Sequence, residues 1–238
     1  MREDRLYEMI REKEQMASLA FPALMRKVYV WMALALVITG FTAYGVASSP
    51  AIITAIMSNK LIFFGLFIAE LALVWSVSAR INRMSLTTAT LLFVLYSVLN
   101  GAMLSVLFIA YTMESITSVF FITAGTFAVM AAIGYFTKAD LSSLGKILFM
   151  ALIGIIIASV VNMFLHSSGL YMIVSYVGVL IFVGLTAYDT QKIKQMLMVA
   201  DDMNEEAQKI ALLGSLTLYL DFINLFIYLL RILGNSRE

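Results

Sequence analysis

Cysteine is absent from this chain of 238 residues, histidine occurs once, proline occurs twice, and only 13% of the residues are charged. Without cysteine the chain has no disulfide, no thiolate nucleophile and no zinc–thiolate site. The single histidine, His166, rules out a metal site built from two histidines. A net charge of +1 provides no strongly basic surface, so we expect no nucleic-acid partner.

Apolar residues are abundant, because 62% of the side chains are hydrophobic, far more than a soluble domain of this size contains. Seven stretches of roughly 19 or more predominantly apolar residues predict helices that cross a lipid bilayer. They are Val28–Ala47, Leu61–Ala79, Leu86–Ala110, Ile116–Phe136, Ile147–Leu165, Leu170–Tyr188 and Ile210–Leu233. The sequence therefore predicts an all-α membrane protein with one transmembrane domain of seven helices, residues 28–233.

The distribution of lysine and arginine predicts the orientation of these helices. With the N-terminus in the cytoplasm, the inner segments carry 13 of these residues and the outer segments carry 3. Basic loops stay on the cytoplasmic side, so we expect a cytoplasmic N-terminus and an external C-terminus. Residues 1–27 alternate acidic and basic side chains, with apolar residues at helical spacing, which predicts an amphipathic helix on the cytoplasmic surface.

The last apolar stretch contains the sequence LYLDFINLF, with an aspartate in its middle, where a charge costs a few kcal/mol in a bilayer. Polar side chains recur there at intervals of three or four residues and so share one face of a helix. This polar stripe consists of Thr217, Asp221, Asn224, Tyr228 and Arg231. Because lipid rejects such a face, we expect the last helix to pack centrally, with the stripe toward other helices or a watery cavity. For Asn224 and Tyr228, simple interhelical hydrogen bonding is an equal alternative.

Four charged residues of other spans are candidate neighbours of Asp221: Glu70, Asp189, Arg80 and Arg83. If Asp189 lies close to Asp221, the two carboxyl groups cannot both ionise cheaply in a low-dielectric site and must share a proton. Such a pair is a pH-sensitive latch, and a nearby arginine would compete for the ionised carboxylate. Deprotonated carboxylate oxygens are also the ligands that calcium prefers.

The segments LTAYDTQKIK (Leu185–Lys194) and LYLDFINLFIYLLRILG (Leu218–Gly234), together with seven spans and Glu70 in the second span, resemble the transmembrane Bax inhibitor motif (TMBIM) family. The resemblance begins at about residue 25 and points to a bacterial-type member. It implies two triple-helix layers around a central C-terminal helix. It also implies a multi-pass protein of the bacterial cytoplasmic (inner) membrane, and the absence of an N-x-S/T sequence is compatible with that location.

In function, the resemblance implies a passive calcium leak that responds to pH, with no cofactor and calcium as the permeant ion. By motif, Asp189 and Asp221 become the proton sensor, and Arg80, or alternatively Arg83, becomes the latch. The resemblance also implies that calcium contacts the two aspartates and Glu70. Polar side chains that line the pathway are then Glu70, Asn224, Tyr228 and Arg231.

The predicted span boundaries leave the two aspartates at different depths. Asp189 lies at the cytoplasmic edge of its span, whereas Asp221 lies about ten residues into the next, an offset of roughly 15 Å at the helical rise. Contact between them requires the sixth transmembrane helix to continue past Asp189, or the last helix to begin nearer the cytoplasm.

Two other functions compete with a calcium leak. Intramembrane aspartyl proteases carry one catalytic aspartate in a Tyr-Asp pair, which Tyr188 and Asp189 match, but their second aspartate follows a Gly-x-Gly motif that Asp221 lacks. We therefore expect no enzymatic activity, with the carboxyl groups acting as a proton sensor. The alternative to transport is a membrane regulator that binds a membrane protease or another membrane protein.

Overall fold

The computed structural model describes residues 2–200 and 202–237, with side-chain environments described from residue 20 onward. Its helices, numbered in chain order, are α1 (Arg2–Ala47), α2 (Pro50–Ser58), α3 (Lys60–Arg80), α4 (Leu86–Ala110), α5 (Met113–Phe136), α6 (Ser142–Leu165), α7 (Ser168–Met198) and α8 (Glu205–Leu233). A short 3₁₀ turn, Ile81–Arg83, follows α3. Seven of the helices are long and apolar enough to cross a membrane, and α2 is the short one.

The all-α prediction with seven transmembrane helices is confirmed. The sequence missed α2 and placed the beginnings of several helices too late. The predicted boundary between the cytoplasmic segment and the transmembrane domain, between residues 27 and 28, falls inside α1, which also contains Pro22. The amphipathic character expected of the N-terminal segment lies mostly in side chains outside those described.

Polar side chains that cap the helix starts explain where several helices begin. Ser85, Thr112, Ser167 and Asn204 each precede a helix and accept a hydrogen bond from the backbone N–H three residues later. These bonds satisfy donors that the first turn of a helix leaves free. Among the long helices that follow one another in the chain, α3 packs on α4, α6 on α7 and α7 on α8, whereas α5 packs on α7 and α8.

Helix α8 is the core of the bundle. It contacts α1, α4, α5 and α7. In its most apolar stretch 67% of the residues are buried, compared with 6% in the corresponding stretches of α3 and α6. The central position expected of the last helix is therefore observed, whereas the arrangement in two triple-helix layers stays a prediction. The most peripheral helices are held on fewer sides, since α6 packs mainly on α7 and α3 mainly on α4.

Large apolar side chains cover the outside of the bundle. Phe41, Leu61, Phe136 and Phe164 are among the most exposed of them. Contiguous apolar surface on this scale is unfavourable in water and matches the hydrocarbon interior of a bilayer. The protein is therefore an integral, multi-pass membrane protein.

Candidate functional site

Helices α7 and α8 bring Asp189 and Asp221 into contact through their side chains. The predicted difference in depth disappears because both helices are longer than their apolar stretches. Helix α7 continues past Asp189 as far as Met198, and α8 begins at Glu205, five residues before its apolar part. The added turns are polar but helical, so hydropathy alone placed the end of α7 too early and the beginning of α8 too late.

The two carboxyl groups have different environments. Asp221 is only 5% exposed, and its Oδ2 atom is buried without a hydrogen-bond partner among the described residues. Asp189 is half-buried, and the cationic side chain of Lys192 lies near it. Two carboxyl groups in contact share a hydrogen bond only when one of them is protonated and donates to the other.

Close packing between α5 and α7 fixes the position of the pair. Gly134 of α5 lies against the backbone of Ala187, so closely that a Cβ atom there would approach the Ala187 carbonyl carbon to 2.8 Å. Ala187 precedes Asp189 by two residues. The absence of a side chain at Gly134 therefore sets how near α7 lies to the rest of the bundle and, with it, the depth of Asp189.

The pair opens onto a cavity of about 950 Å³, which we call the aspartate cavity. Four members of the polar stripe, Thr217, Asp221, Asn224 and Tyr228, line it. These four residues therefore lie along one wall of the same cavity, as their common helical face predicts. Its other wall is largely apolar and comes from α6 and α7, so the carboxyl groups face a space with few competing polar groups.

Glu70 lies in a different place from the aspartates. It is 9% exposed, contacts Asn100 of α4, and faces Tyr96 and Tyr219 on another side of α8. Its Oε1 atom is buried and has no hydrogen-bond partner among the described residues. The three carboxylates expected to contact calcium together therefore separate into a pair and a single residue, and no cluster of three acidic or histidine side chains forms within the described part of the chain.

The two candidate latch arginines lie near the end of α3, where both are exposed. The Arg80 guanidinium lies 5.7 Å from the ring centroid of Trp75. Neither Arg80 nor Arg83 lines the aspartate cavity. A role for either as a latch would require α3 to move relative to this arrangement, and α3 is one of the two least buried spans.

Arg231, the last member of the stripe, lines a second cavity of about 460 Å³ near the end of α8, which we call the arginine cavity. Its guanidinium lies 5.2 Å from the ring centroids of both Tyr171 and Tyr228. These are cation–π distances, so the two rings hold the positive charge in place.

A buried hydrogen-bond network around Tyr219 is the feature that sequence reasoning missed. The Tyr219 hydroxyl donates to Asn100 Oδ1 over 2.9 Å and lies 2.7 Å from the Thr39 hydroxyl, which donates to the Ser97 carbonyl over 3.0 Å. The network connects α1, α4 and α8 beside Glu70. Its only signal in the sequence was an Asn-Gly pair, Asn100 and Gly101, within an apolar span.

Replacing Tyr219 by phenylalanine should destabilise the protein by about 1–3 kcal/mol, because the Asn100 amide loses a donor in a site that water does not reach. Thermal unfolding of purified protein in detergent would measure this. Tyr176→Phe is the matched control, since Tyr176 is 54% exposed. Equal unfolding temperatures for the two variants would contradict the role of the network.

The protease alternative has one further match in the chain. These enzymes also carry a Pro-Ala-Leu motif, and that tripeptide occurs here at residues 22–24. It lies in α1 and does not line the aspartate cavity. The tripeptide and the two aspartates therefore do not form one site in this structure.

Fold and site together define a helical integral membrane protein with an acidic pair beside its central helix, and comparison with known proteins identifies its family. Residues 22–238 match the family model described as inhibitor of apoptosis-promoting Bax1, so the chain belongs to the Bax inhibitor family. The inner membrane protein YbhL of Escherichia coli K12 is 51% identical over 214 residues, which cover 90% of this chain and 92% of YbhL.

Other bacteria also carry similar proteins. An uncharacterized protein of Borreliella burgdorferi is 47% identical over 89% of this chain and 91% of its own length. The protein RP147 of Rickettsia prowazekii is 45% identical over 90% of both chains. The expected resemblance to a bacterial member of this family is therefore confirmed.

Proposed function

We propose that this protein is a passive calcium leak of the bacterial inner membrane and that a proton shared between Asp189 and Asp221 gates it. The observation that carries the proposal is the contact between two carboxyl groups, one of them buried, at the wall of a cavity beside the central helix. We further propose that the N-terminus lies in the cytoplasm, as the lysine and arginine distribution favours.

The chemistry of the pair supports a response to pH. With one proton the carboxyl groups hold each other through a hydrogen bond and tie α7 to α8. Loss of that proton leaves two negative charges in a site of low dielectric constant, and their repulsion favours separation. The other charged or titratable side chains that face this cavity are Lys146, Tyr188, Lys192 and Tyr228.

The same oxygen atoms support calcium as the permeant ion. Calcium takes six to eight oxygen ligands, usually carboxylates, carbonyls and water. Asp189 and Asp221 provide carboxylate oxygens, and Thr217 and Asn224 provide further oxygens on the same wall. A site with so few protein ligands leaves most of the coordination to water, which suits an ion that passes through better than one that is retained.

The proposal is tested by loading proteoliposomes with a calcium indicator and measuring calcium entry between about pH 6 and about pH 8. We expect entry above that of protein-free liposomes, with a rate that changes with pH. Passive flux requires no nucleotide, so the rate should be the same with and without ATP.

Absence of calcium entry at every pH, with protein that is folded and inserted, would refute the transport function. The alternative function, a regulator that acts by binding another membrane protein, would then be favoured for this chain. In that case the polar stripe would serve to hold the helices together.

A further inference from the structure

The two cavities along the polar stripe lie one after the other beside α8. The aspartate cavity is lined by the beginning of α6 and the end of α7, and the arginine cavity by the end of α6 and the beginning of α7. Since α6 and α7 are antiparallel, these are opposite ends of the bundle. Two residues, Ile156 and Tyr228, line both cavities.

Tyr228 lies where the cavities meet, and three neighbours hold its ring there. The ring stacks on Phe182 with centroids 5.9 Å apart and planes 26° apart. On another side it packs on Gly178, where a Cβ atom would approach the ring to 2.8 Å. The Arg231 guanidinium lies 5.2 Å from its centroid.

These contacts make the ring position specific. A side chain at Gly178 would displace the ring, because overlap at 2.8 Å requires a shift of the neighbouring atoms. Tyr228 itself is half-buried and borders a cavity on two sides, so there is space beside the ring into which it can turn. The ring therefore sits in a defined position that it can leave.

We propose that the Tyr228 ring is the barrier between the two cavities and that its displacement joins them into one water-filled path along α8. This inference rests on the proposed calcium leak and names the residue that closes its pathway. Arg231 holds the ring in the closed position through its cation–π contact. Its positive charge also opposes entry of cations from that end as long as the ring holds it there.

The natural absence of cysteine allows a direct test of the barrier, because a single introduced cysteine is the only thiol in the protein. Thr217→Cys places a thiol in the aspartate cavity and Ser159→Cys places one in the arginine cavity. Both substitutions replace a hydroxyl that donates a hydrogen bond to a backbone carbonyl of its own helix, so the two cysteines are matched reporters. A water-soluble, membrane-impermeant maleimide is added to one side of the membrane, using intact spheroplasts or inverted vesicles.

With Tyr228 present, we expect each thiol to react from one side only, the two reporters from opposite sides. In the Tyr228→Ala background both thiols should react from both sides, and calcium entry should rise several-fold. Tyr228→Phe keeps the ring and should retain one-sided labelling. Gly178→Ala, which displaces the ring without deleting it, provides a second variant should Tyr228→Ala fold poorly, and it should also allow labelling from both sides.

One-sided labelling that persists in both folded Tyr228→Ala and folded Gly178→Ala would overturn the barrier. Labelling of both thiols from both sides with Tyr228 intact would overturn it too. Labelling reports water access and calcium entry reports transport, so the two proposals fail separately. If labelling follows the expectation but calcium does not enter, the ring is a barrier to water and the calcium leak is refuted.

Discussion

Calcium entry through the Asp221→Asn variant should be the same at about pH 6 and about pH 8, whereas entry through the unmodified protein should differ between them. Asparagine has nearly the shape of aspartate and can still donate a hydrogen bond to Asp189, but it cannot exchange a proton. The variant therefore keeps the contact between α7 and α8 and removes the proton that the pair shares.

Asp189→Asn should flatten the pH dependence in the same way, because either substitution leaves one titratable carboxyl group where there were two. The control is Asp202→Asn, the same chemical change in an exposed loop between α7 and α8. We expect that variant to retain the pH response. Unaltered pH dependence in both pair variants would contradict the shared-proton mechanism even if calcium entry is observed.

A double variant tests whether the two carboxyl groups titrate as one unit. If the two carboxyl groups act as one unit, adding Asp189→Asn to Asp221→Asn should change the pH dependence no further, because the shared proton is already lost. Additive changes would instead indicate two independent titrating groups. Proteoliposome assays on the four proteins form a complete double-mutant cycle.

Gly134→Ala should destabilise the protein by about 1–3 kcal/mol, because the new methyl group would overlap the backbone of Ala187. Backbone cannot rotate away as a long side chain can, so α5 and α7 must separate. The separation moves Asp189, two residues further along α7. We therefore expect an altered pH dependence of calcium entry in addition to a lower unfolding temperature in detergent.

Gly125→Ala provides a control in the same helix. A Cβ atom at Gly125 would meet nothing within 4 Å. Alanine is favoured over glycine inside a helix by roughly 0.5–1 kcal/mol, so this variant should be slightly more stable. The two substitutions therefore have opposite expected signs, and destabilisation of both by the same amount would contradict the packing argument.

Much of the site was predictable from the residues of α8. Intervals of three and four between Thr217 and Arg231 place those polar side chains on one helical face, and the cost of exposing that face to lipid requires it to point inward. Pairing of Asp221 with Asp189 was implied by family resemblance, and apolar span lengths alone argued against it.

Helix ends and the position of Glu70 were not predictable in this way. Hydropathy marks where a chain meets the hydrocarbon, and a helix does not have to end there, so α7 and α8 extend beyond their apolar stretches. The family resemblance groups Glu70 with the aspartates, and the sequence itself shows only that it is acidic and lies within a span. The direction in which its helix faces depends on contacts with α4 that no local pattern contains.

By itself, the sequence determined that this is a seven-helix membrane protein with an acidic residue on the inward face of its last helix, because hydropathy and helical periodicity are local properties of the chain. The packing of the helices was needed to show that Asp189 contacts Asp221, that Glu70 contacts Asn100 and that the Tyr228 ring lies between two cavities. These contacts depend on how closely the helices approach one another and on how each helix is rotated about its axis. Side chains far apart in the sequence determine both.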